Sequence, residues 1–586
     1  MSSLKASAIV LASSLSLMIG CSPDTGRCTG SHCTGGNHDL GGNGDGGTGG
    51  PDFSVTGDLA GADFSYSMDG PPVVADPVTC ADAAMNHTYI GCDYWPTVVA
   101  NAVWSIFDYA VIVSNPGMNP ATVTVTGPNS TNQTVTVPPD QLVKIYLPWV
   151  GDLKGGDANE CGASSPLAGS VSHAAGAYHL VSTVPVLVYQ FNALEYIGMG
   201  GPTGKDWSQC PGTVTKCQSN MNKTVGCYSF TNDASLLLPS TAMTGNYRVG
   251  SYHGLDGFAG FPPGCTGTGC LIPPTPGMTP YFAITATADN TSVTIKSTGQ
   301  ILAGGNVTAI NAGGTETIMM NQGDVAMVVA NGATANDLSG SQVQATNPVQ
   351  VIGGVPCIDN PAGAIACDHI EETVMPAETL GKDYVVNQPT GPNGNAVGQE
   401  VRLIGNVDGT TLTFTPAVGG APSTINAGQV IDLWIVSQDF EVKGSHEVIV
   451  QTGMQSADHV DPSTQPPNQK GDPSLSAAIA TAQYRLKYVF LAPDDYPVNY
   501  ADVVAPMGAN LMLDGAAVTQ TASAIAGTNW GVIRIPLQSG AAMGAHVITS
   551  DQPIGIQVVG YGSYTSYQYP AGLNLSLIAP PPPPIS

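Results

Sequence analysis

From about Thr79 onward, short apolar and hydroxyl-rich runs alternate, and the same order of runs returns several times along the chain. One run follows an Asn or Asp turn with Thr and aliphatic residues in strict alternation. It occurs as Asn119-Pro120-Ala121-Thr122-Val123-Thr124-Val125, Asp289-Asn290-Thr291-Ser292-Val293-Thr294-Ile295 and Asp408-Gly409-Thr410-Thr411-Leu412-Thr413-Phe414, with a weaker copy at Ala509-Asn510-Leu511-Met512-Leu513. A period of two puts the aliphatic residues on one face, so each run predicts a half-buried strand. A later run is centred on proline: Leu180 to Val188 around Pro185, Val343 to Val351 around Pro348, and Ile548 to Ile556 around Pro553. Proline gives a ladder no N–H, so it is expected at strand starts or edges. The third copy, Gly444 to Val450, lacks the proline and sits closer to its first strand. Repetition at roughly 100 residues predicts an all-β fold, with about four tandem antiparallel β-sandwich modules following a disordered leash.

The boundaries that follow are 79–200 for the first module, 201–278 for a Cys-rich insert, 279–385, 386–485 and 486–578 for the other three modules, and 579–586 for a Pro-rich tail with no evident partner. Residues 21–78 are Gly- and Asp-rich, with Asp52-Phe53, Asp58-Leu59, Asp63-Phe64 and Asp69-Gly70 recurring at short intervals. Such a segment buries too little apolar area to offset its ordering entropy and reads as a spacer. Ahead of it, Lys5 and the apolar run Ala6 to Ile19 read as a signal peptide, 1–20, too short to span a bilayer as a permanent helix. Its end, Leu17-Met18-Ile19-Gly20-Cys21, resembles a bacterial lipoprotein signal and implies lipidation at Cys21. Ser22 after that cysteine favours the outer membrane or cell surface.

Charge narrows the partners. Lys and Arg number 16 against 43 Asp and Glu, a net charge of −27, and no Lys or Arg stands between Arg27 and Lys144. Nucleic acid, which needs clustered cations, is excluded as a partner. Gly 72 and Pro 46, about a fifth of the 586 residues, argue against helical bundles.

A family resemblance rests on Tyr281 to Ile295, Asp337-Leu338-Ser339-Gly340-Ser341, Pro348-Val349-Gln350-Val351, Cys357, Cys367-Asp368-His369-Ile370, Pro376 and Gly381-Lys382-Asp383-Tyr384, then Gly560-Tyr561-Gly562 and Tyr569-Pro570-Ala571-Gly572. Over roughly residues 95 to 575 the chain resembles the N-terminal domain of IgGFc-binding proteins. The resemblance implies a non-enzymatic extracellular region acting in binding or adhesion to a protein or glycan ligand. It carries no ligand-contacting residue over to this sequence, and it leaves open whether IgG Fc is bound.

Thirteen cysteines less Cys21 leave an even number in a chain addressed to an oxidising compartment, which predicts disulfides. Spacing suggests Cys28 with Cys33, Cys80 with Cys92, Cys265 with Cys270 and Cys357 with Cys367. Cys161, Cys210, Cys217 and Cys227 then pair among themselves in one of three ways. The segment Cys210 to Cys270 reads as a stapled loop region and a recognition surface. Zinc at Cys357, Cys367 and His369 is disfavoured by the single histidine and the wrong cysteine spacing. Neither metal nor cofactor is expected.

Gly-x-Ser-x-Gly and His-Glu-x-x-His are absent, and His179 and His546 do not align when the prolines are superposed, so no catalytic residue is assigned. Glu371 and Glu372 are adjacent on a strand, which points them to opposite faces and predicts solvated charge. Asp45 and Asp494-Asp495 lack the ligand spacing of a calcium loop and read as solvated turns. Tyr561, Tyr564, Tyr567 and Tyr569 fit strand packing better than a sugar-stacking loop. The alternatives are a glycan-active hydrolase with two carboxylates facing across a cleft, and a purely structural envelope protein.

Overall fold

The computed structural model describes residues 76–159, 167–214, 224, 226–256, 277–332, 334–364, 367–465, 468–537 and 544–585. The expected signal, Cys21 and the Gly/Asp-rich linker up to residue 75 lie outside them. In the first sandwich the strands run in the order Thr131–Val137, Ala121–Gly127, His179–Asn192, Tyr109–Ser114, Leu142–Leu147, with Gly91–Tyr94 and Ala234–Leu236 also on His179–Asn192. The alternating run Ala121–Gly127 buries Ala121, Val123 and Val125 and exposes Thr122 and Thr126, as its period demands.

The long strand His179–Asn192 belongs to both layers. Its first part pairs with Ala121–Gly127, and its second with Tyr109–Ser114 and Ala234–Leu236. Pro185 sits at the changeover. The fourth sandwich repeats this in Gly544–Gly562, which pairs with Arg485–Ala492 and Leu511–Leu513 on one side of Pro553 and with Val498–Pro506 and Thr565–Pro570 on the other. In these two modules the proline is therefore inside a continuous strand rather than at its start. A residue passing between layers has no ladder partner on either, so the missing N–H costs nothing there. In the second module the changeover breaks the strand, into Gln342–Ala345 and Val349–Ile358. In the third, where proline is absent, it lies between Phe440–Gly444 and Val448–Gly453.

A buried tyrosine pins each changeover. Tyr94 Oη accepts from Gly91 N at 2.8 Å and donates to Val186 O at 2.6 Å. Tyr247 does the same between Thr244 N (3.3 Å) and Val349 O (2.6 Å), Tyr384 between Gly381 N (3.0 Å) and Val448 O (2.7 Å), and Tyr488 between Arg485 N (3.1 Å) and Ile554 O (2.5 Å). The accepting carbonyl always belongs to the residue after the proline position, Glu447 standing there in the third module. The repeat thus holds in three dimensions where the sequence loses its proline.

The last strands of the modules, Ala234–Leu236, Asp368–Thr373, Leu475–Ala477 and Thr565–Pro570, meet at the centre. The first lies against the second and fourth, and the third against the same two, closing a ring in which none is laddered to another. Neighbouring modules are joined by buried or partly buried polar contacts. Thr97 Oγ1 meets Thr285 Oγ1 at 2.8 Å, Arg402 lies between Asp432 (2.5 Å) and Asp337, Arg534 Nη2 meets Asp439 at 3.1 Å, and Lys144 Nζ meets Asp495 at 2.6 Å. The modules form one interlocked body: Val171–His173, from the first, completes the sheet of the second against Val325–Val329.

The tail, for which the sequence suggests no partner, has one. Pro583 O accepts from Gln342 Nε2 at 2.7 Å.

Candidate functional site

The centre of the ring holds the residues with the strongest chemical character. Glu371 and Glu372 are both buried, correcting the expectation of solvated charge. They do point to opposite faces, but both faces of Asp368–Thr373 are covered, one by the first module and one by the third. Glu371 accepts from Gln190 Nε2 (3.0 Å), Asn192 Nδ2 (2.8 Å) and Ser235 Oγ (3.1 Å), and lies 3.2 Å from His369 Nε2. Glu372 accepts from Thr373 N (2.9 Å) and Ala477 N (3.0 Å). Asp233 accepts from Ala234 N (2.9 Å), Glu371 N (3.0 Å) and Leu475 N (3.0 Å), joining three modules through one carboxyl group. Asp368 accepts from Asn232 N (2.5 Å), His369 N (2.8 Å) and Thr565 Oγ1 (3.0 Å). Unladdered strands leave backbone N–H groups that must find acceptors, and these side chains supply them. Burial pushes the carboxyls of Asp233, Asp368 and Glu372 well above their ordinary range. The arrangement is closed to substrate and reads as structural.

A second acidic group lies where the first and fourth modules meet. Glu195 Oε2 accepts from Asp108 N at 3.0 Å, Lys205 Nζ sits 2.6 Å from Asp108 Oδ2, and Lys144 binds both Asp494 and Asp495. Burial, and then the charge of Asp108, raises the Glu195 carboxyl to about 8. The two carboxyl groups share a hydrogen bond and so stand closer than the roughly 5 to 9.5 Å of a hydrolase pair, and sequence inspection missed them because 87 residues separate the partners. Gly201 covers them. At φ +81° a Cβ there would stand 2.9 Å from Glu195 Oε1 and 3.2 Å from Asp108 Oδ2, so only glycine backbone fits over the pair. Asp494 is exposed, as a solvated turn requires, whereas Asp495 is largely covered, and Lys144 pairs with both.

The other sequence candidates fall as follows. Cys80 is bonded to Cys92, Cys357 to Cys367, and Cys210 to Cys227. Cys28, Cys33, Cys161, Cys217, Cys265, Cys270 and Asp45 lie outside the described residues. His179 stacks on Trp95 at 4.1 Å and binds Asp93 at 2.7 Å, and His546 binds Asp514 at 2.8 Å. Tyr561, Tyr567 and Tyr569 are buried, and Tyr564 is partly exposed in the turn between the last two strands. Among the described residues no group of three or more His, Cys, Asp or Glu is arranged to hold a metal ion.

The outer surface offers contact area instead. Trp434 is 59% exposed, on the edge strand Val430–Val436, at φ +52°. Two residues there, Leu433 and Trp434, oppose one on the paired strand, a bulge that turns the indole outward. Modules three and four enclose an open groove of about 400 Å³ lined by Pro392, Pro497, Tyr500, Pro536 and Leu537, with no carboxylate among the described residues of its wall.

Residues 233–560 match the family described as IgGFc binding protein, more than half of the chain. The chain belongs to the IgGFc-binding protein family. The match begins at Asp233, the residue that ties the ring together, and ends on the Gly544–Gly562 strand. Membership supports a binding, non-enzymatic role. No curated protein matches. Among solved structures, an anti-sigma factor domain-containing protein from Clostridium clariflavum is similar at 9% identity over 50% of this chain and 83% of its own, with a TM-score of 0.11. A second anti-sigma factor domain-containing protein reaches 10% identity over 54% and 90%, with a TM-score of 0.10. Scores this low carry no argument about this chain.

Proposed function

We propose that this protein is a non-enzymatic cell-surface lipoprotein, anchored to the bacterial outer membrane through Cys21, whose β-sandwich body binds an extracellular protein or glycan ligand in adhesion. The family match over 233–560 carries the reading. It is supported by the closed state of both carboxylate groups and by the outward Trp434, an exposed residue type that dominates binding energy where it occurs in interfaces. The acidic linker would hold the body away from anionic headgroups.

Equilibrium binding of residues 79–586 to an array of polysaccharides, mucins, IgG Fc and envelope proteins tests this, beside a reduced and alkylated control. Binding lost on reduction supports a surface that depends on the disulfide-stapled segments. Silence across the array favours a structural envelope role. For the anchor, Cys21→Ala is expected to release the protein from membranes, and a variant that stays membrane-bound refutes lipidation there.

A further inference from the structure

Residues 580–584 are five consecutive prolines. Their rings fix φ and remove every N–H, so the run adopts an extended polyproline II path that presents carbonyl acceptors and ring edges only. A surface that recognises such a segment needs side-chain donors aligned with its carbonyls and a recess for a ring.

The donors are present on the second module, and one ring of the run is buried. Gln342 and Gln344 alternate on the Gln342–Ala345 strand and so share one face, while Val343 between them is buried in the core and fixes that register. Gln342 Nε2 and Gln344 Nε2 both donate to Pro583 O, at 2.7 and 3.3 Å. Gln344 Oε1 accepts from Ile585 N at 2.7 Å, the first N–H after the run. Pro582 is buried, whereas Pro580, Pro581, Pro583 and Pro584 are exposed. Gln342 is itself only 7% exposed, so its amide is positioned by the fold. The approach is fixed as well, because Ile578 N and Ala579 N both donate to Glu378 O, at 2.8 and 2.9 Å. One buried ring, one carbonyl clamped by two amides and one paired N–H make a recognition site, not a casual contact.

We infer that the Gln342/Gln344 face is a receptor site for proline-rich segments, filled in cis by residues 580–585, and that it accepts the same segment from a second copy of the chain. The exchange would join two bodies tail to seat without any new contact type.

The test uses the chain shortened to end at Ala579, which vacates the seat, and a labelled peptide of residues 577–586. The peptide is expected to bind the shortened chain, and to bind the intact chain about tenfold or more weakly because the tethered tail competes at high effective concentration. Gln342→Ala with Gln344→Ala in the shortened chain should abolish binding, as should Pro582→Gly with Pro583→Gly in the peptide. Unchanged far-UV circular dichroism and cooperative melting of each variant show that the body is intact. Equal peptide binding by intact and shortened chains, or none by the shortened chain, overturns the site. For the exchange, the shortened chain is mixed with a full chain carrying Gln342→Ala and Gln344→Ala. A mixed dimer by sedimentation is expected, with neither chain dimeric alone, and its absence overturns the second-copy occupant.

Discussion

The carboxylates at the centre and those at the meeting of the first and fourth modules are the same chemistry put to different use. At the centre, Asp233, Asp368 and Glu372 face backbone amides of strands that end without a ladder, and each oxygen stands in for a missing sheet carbonyl. At the outer junction, Asp108, Asp494 and Asp495 face Lys205 and Lys144, while Glu195 Oε1 is buried with no hydrogen-bond partner. The first arrangement builds the fold and tolerates no substitution that removes the acceptor. The second sets a carboxyl against neighbouring charge, and burial raises both sets, so both couple the fold to pH.

Removing a central acceptor should be the most damaging change. Asp233→Ala strands the N–H groups of Ala234, Glu371 and Leu475 in a dry interior, and is expected to cost about 3 to 5 kcal/mol. Asp233→Asn keeps one acceptor oxygen and should cost less. Denaturant unfolding of the two variants checks the order, and equal losses would mean that the charge, not the acceptor, matters there.

A smaller loss is expected at the changeover tyrosines. Tyr384→Phe leaves Gly381 N and Val448 O unpaired at full packing volume, a loss of about 1 to 3 kcal/mol. The third module lacks the proline that the others place at this point, so its strand crossing depends more on the tyrosine. Tyr384→Phe should therefore destabilise more than Tyr247→Phe, whose amide bond is the longer one at 3.3 Å. Unfolding followed for both variants under one set of conditions decides it.

Much of this fold was legible in the chain. The Thr-aliphatic alternation marks the outer strands correctly, because one face of each meets solvent and the pattern survives. The prolines mark the right places but not the right role: only Pro348 precedes a strand start, while Pro185 and Pro553 lie inside continuous strands. The central strands were not legible: Asp368–Thr373 reads as a polar segment, and nothing local shows that both of its faces are covered by other modules. The pair Asp108 and Glu195 escaped for the same reason, since only tertiary structure brings them together, although the glycines Gly198, Gly200, Gly201 and Gly204 beside Glu195 were a usable signal of close backbone approach. The tail's partner was hidden because two glutamines on an alternating strand look like ordinary solvent-facing residues.

The outer junction predicts a modest pH effect. The Glu195 carboxyl, raised to about 8, keeps in the folded state a proton that the unfolded chain releases near its ordinary value of 4.5. Its contribution is complete below that lower value and is lost as pH rises through the folded one. Glu400, raised to about 7, Asp502, raised to about 6, and the central Asp233, Asp368 and Glu372, all raised by burial, act in the same direction. Melting temperature should fall by about a few °C between pH 5 and pH 8, and Glu195→Gln, which cannot ionise, should flatten the upper part of that slope. A melting temperature that rises over this interval would contradict the assignment.

The least effect on stability is expected at Trp434, and there the contrast between building residues and contacting residues is sharpest. Its indole is 59% exposed and its backbone is in the left-handed region, so the fold gains little from it and bears a strained φ of +52° to present it. Trp434→Ala should change stability by no more than about 0.5 kcal/mol, and Trp434→Gly, which relieves the strain, should be neutral or slightly stabilising. Once a ligand is found, both variants should weaken its binding while Tyr384→Phe, adjusted for its folded fraction, does not. Loss of stability at Trp434 without loss of binding would place the indole with the packing residues and move the contact surface elsewhere on the body.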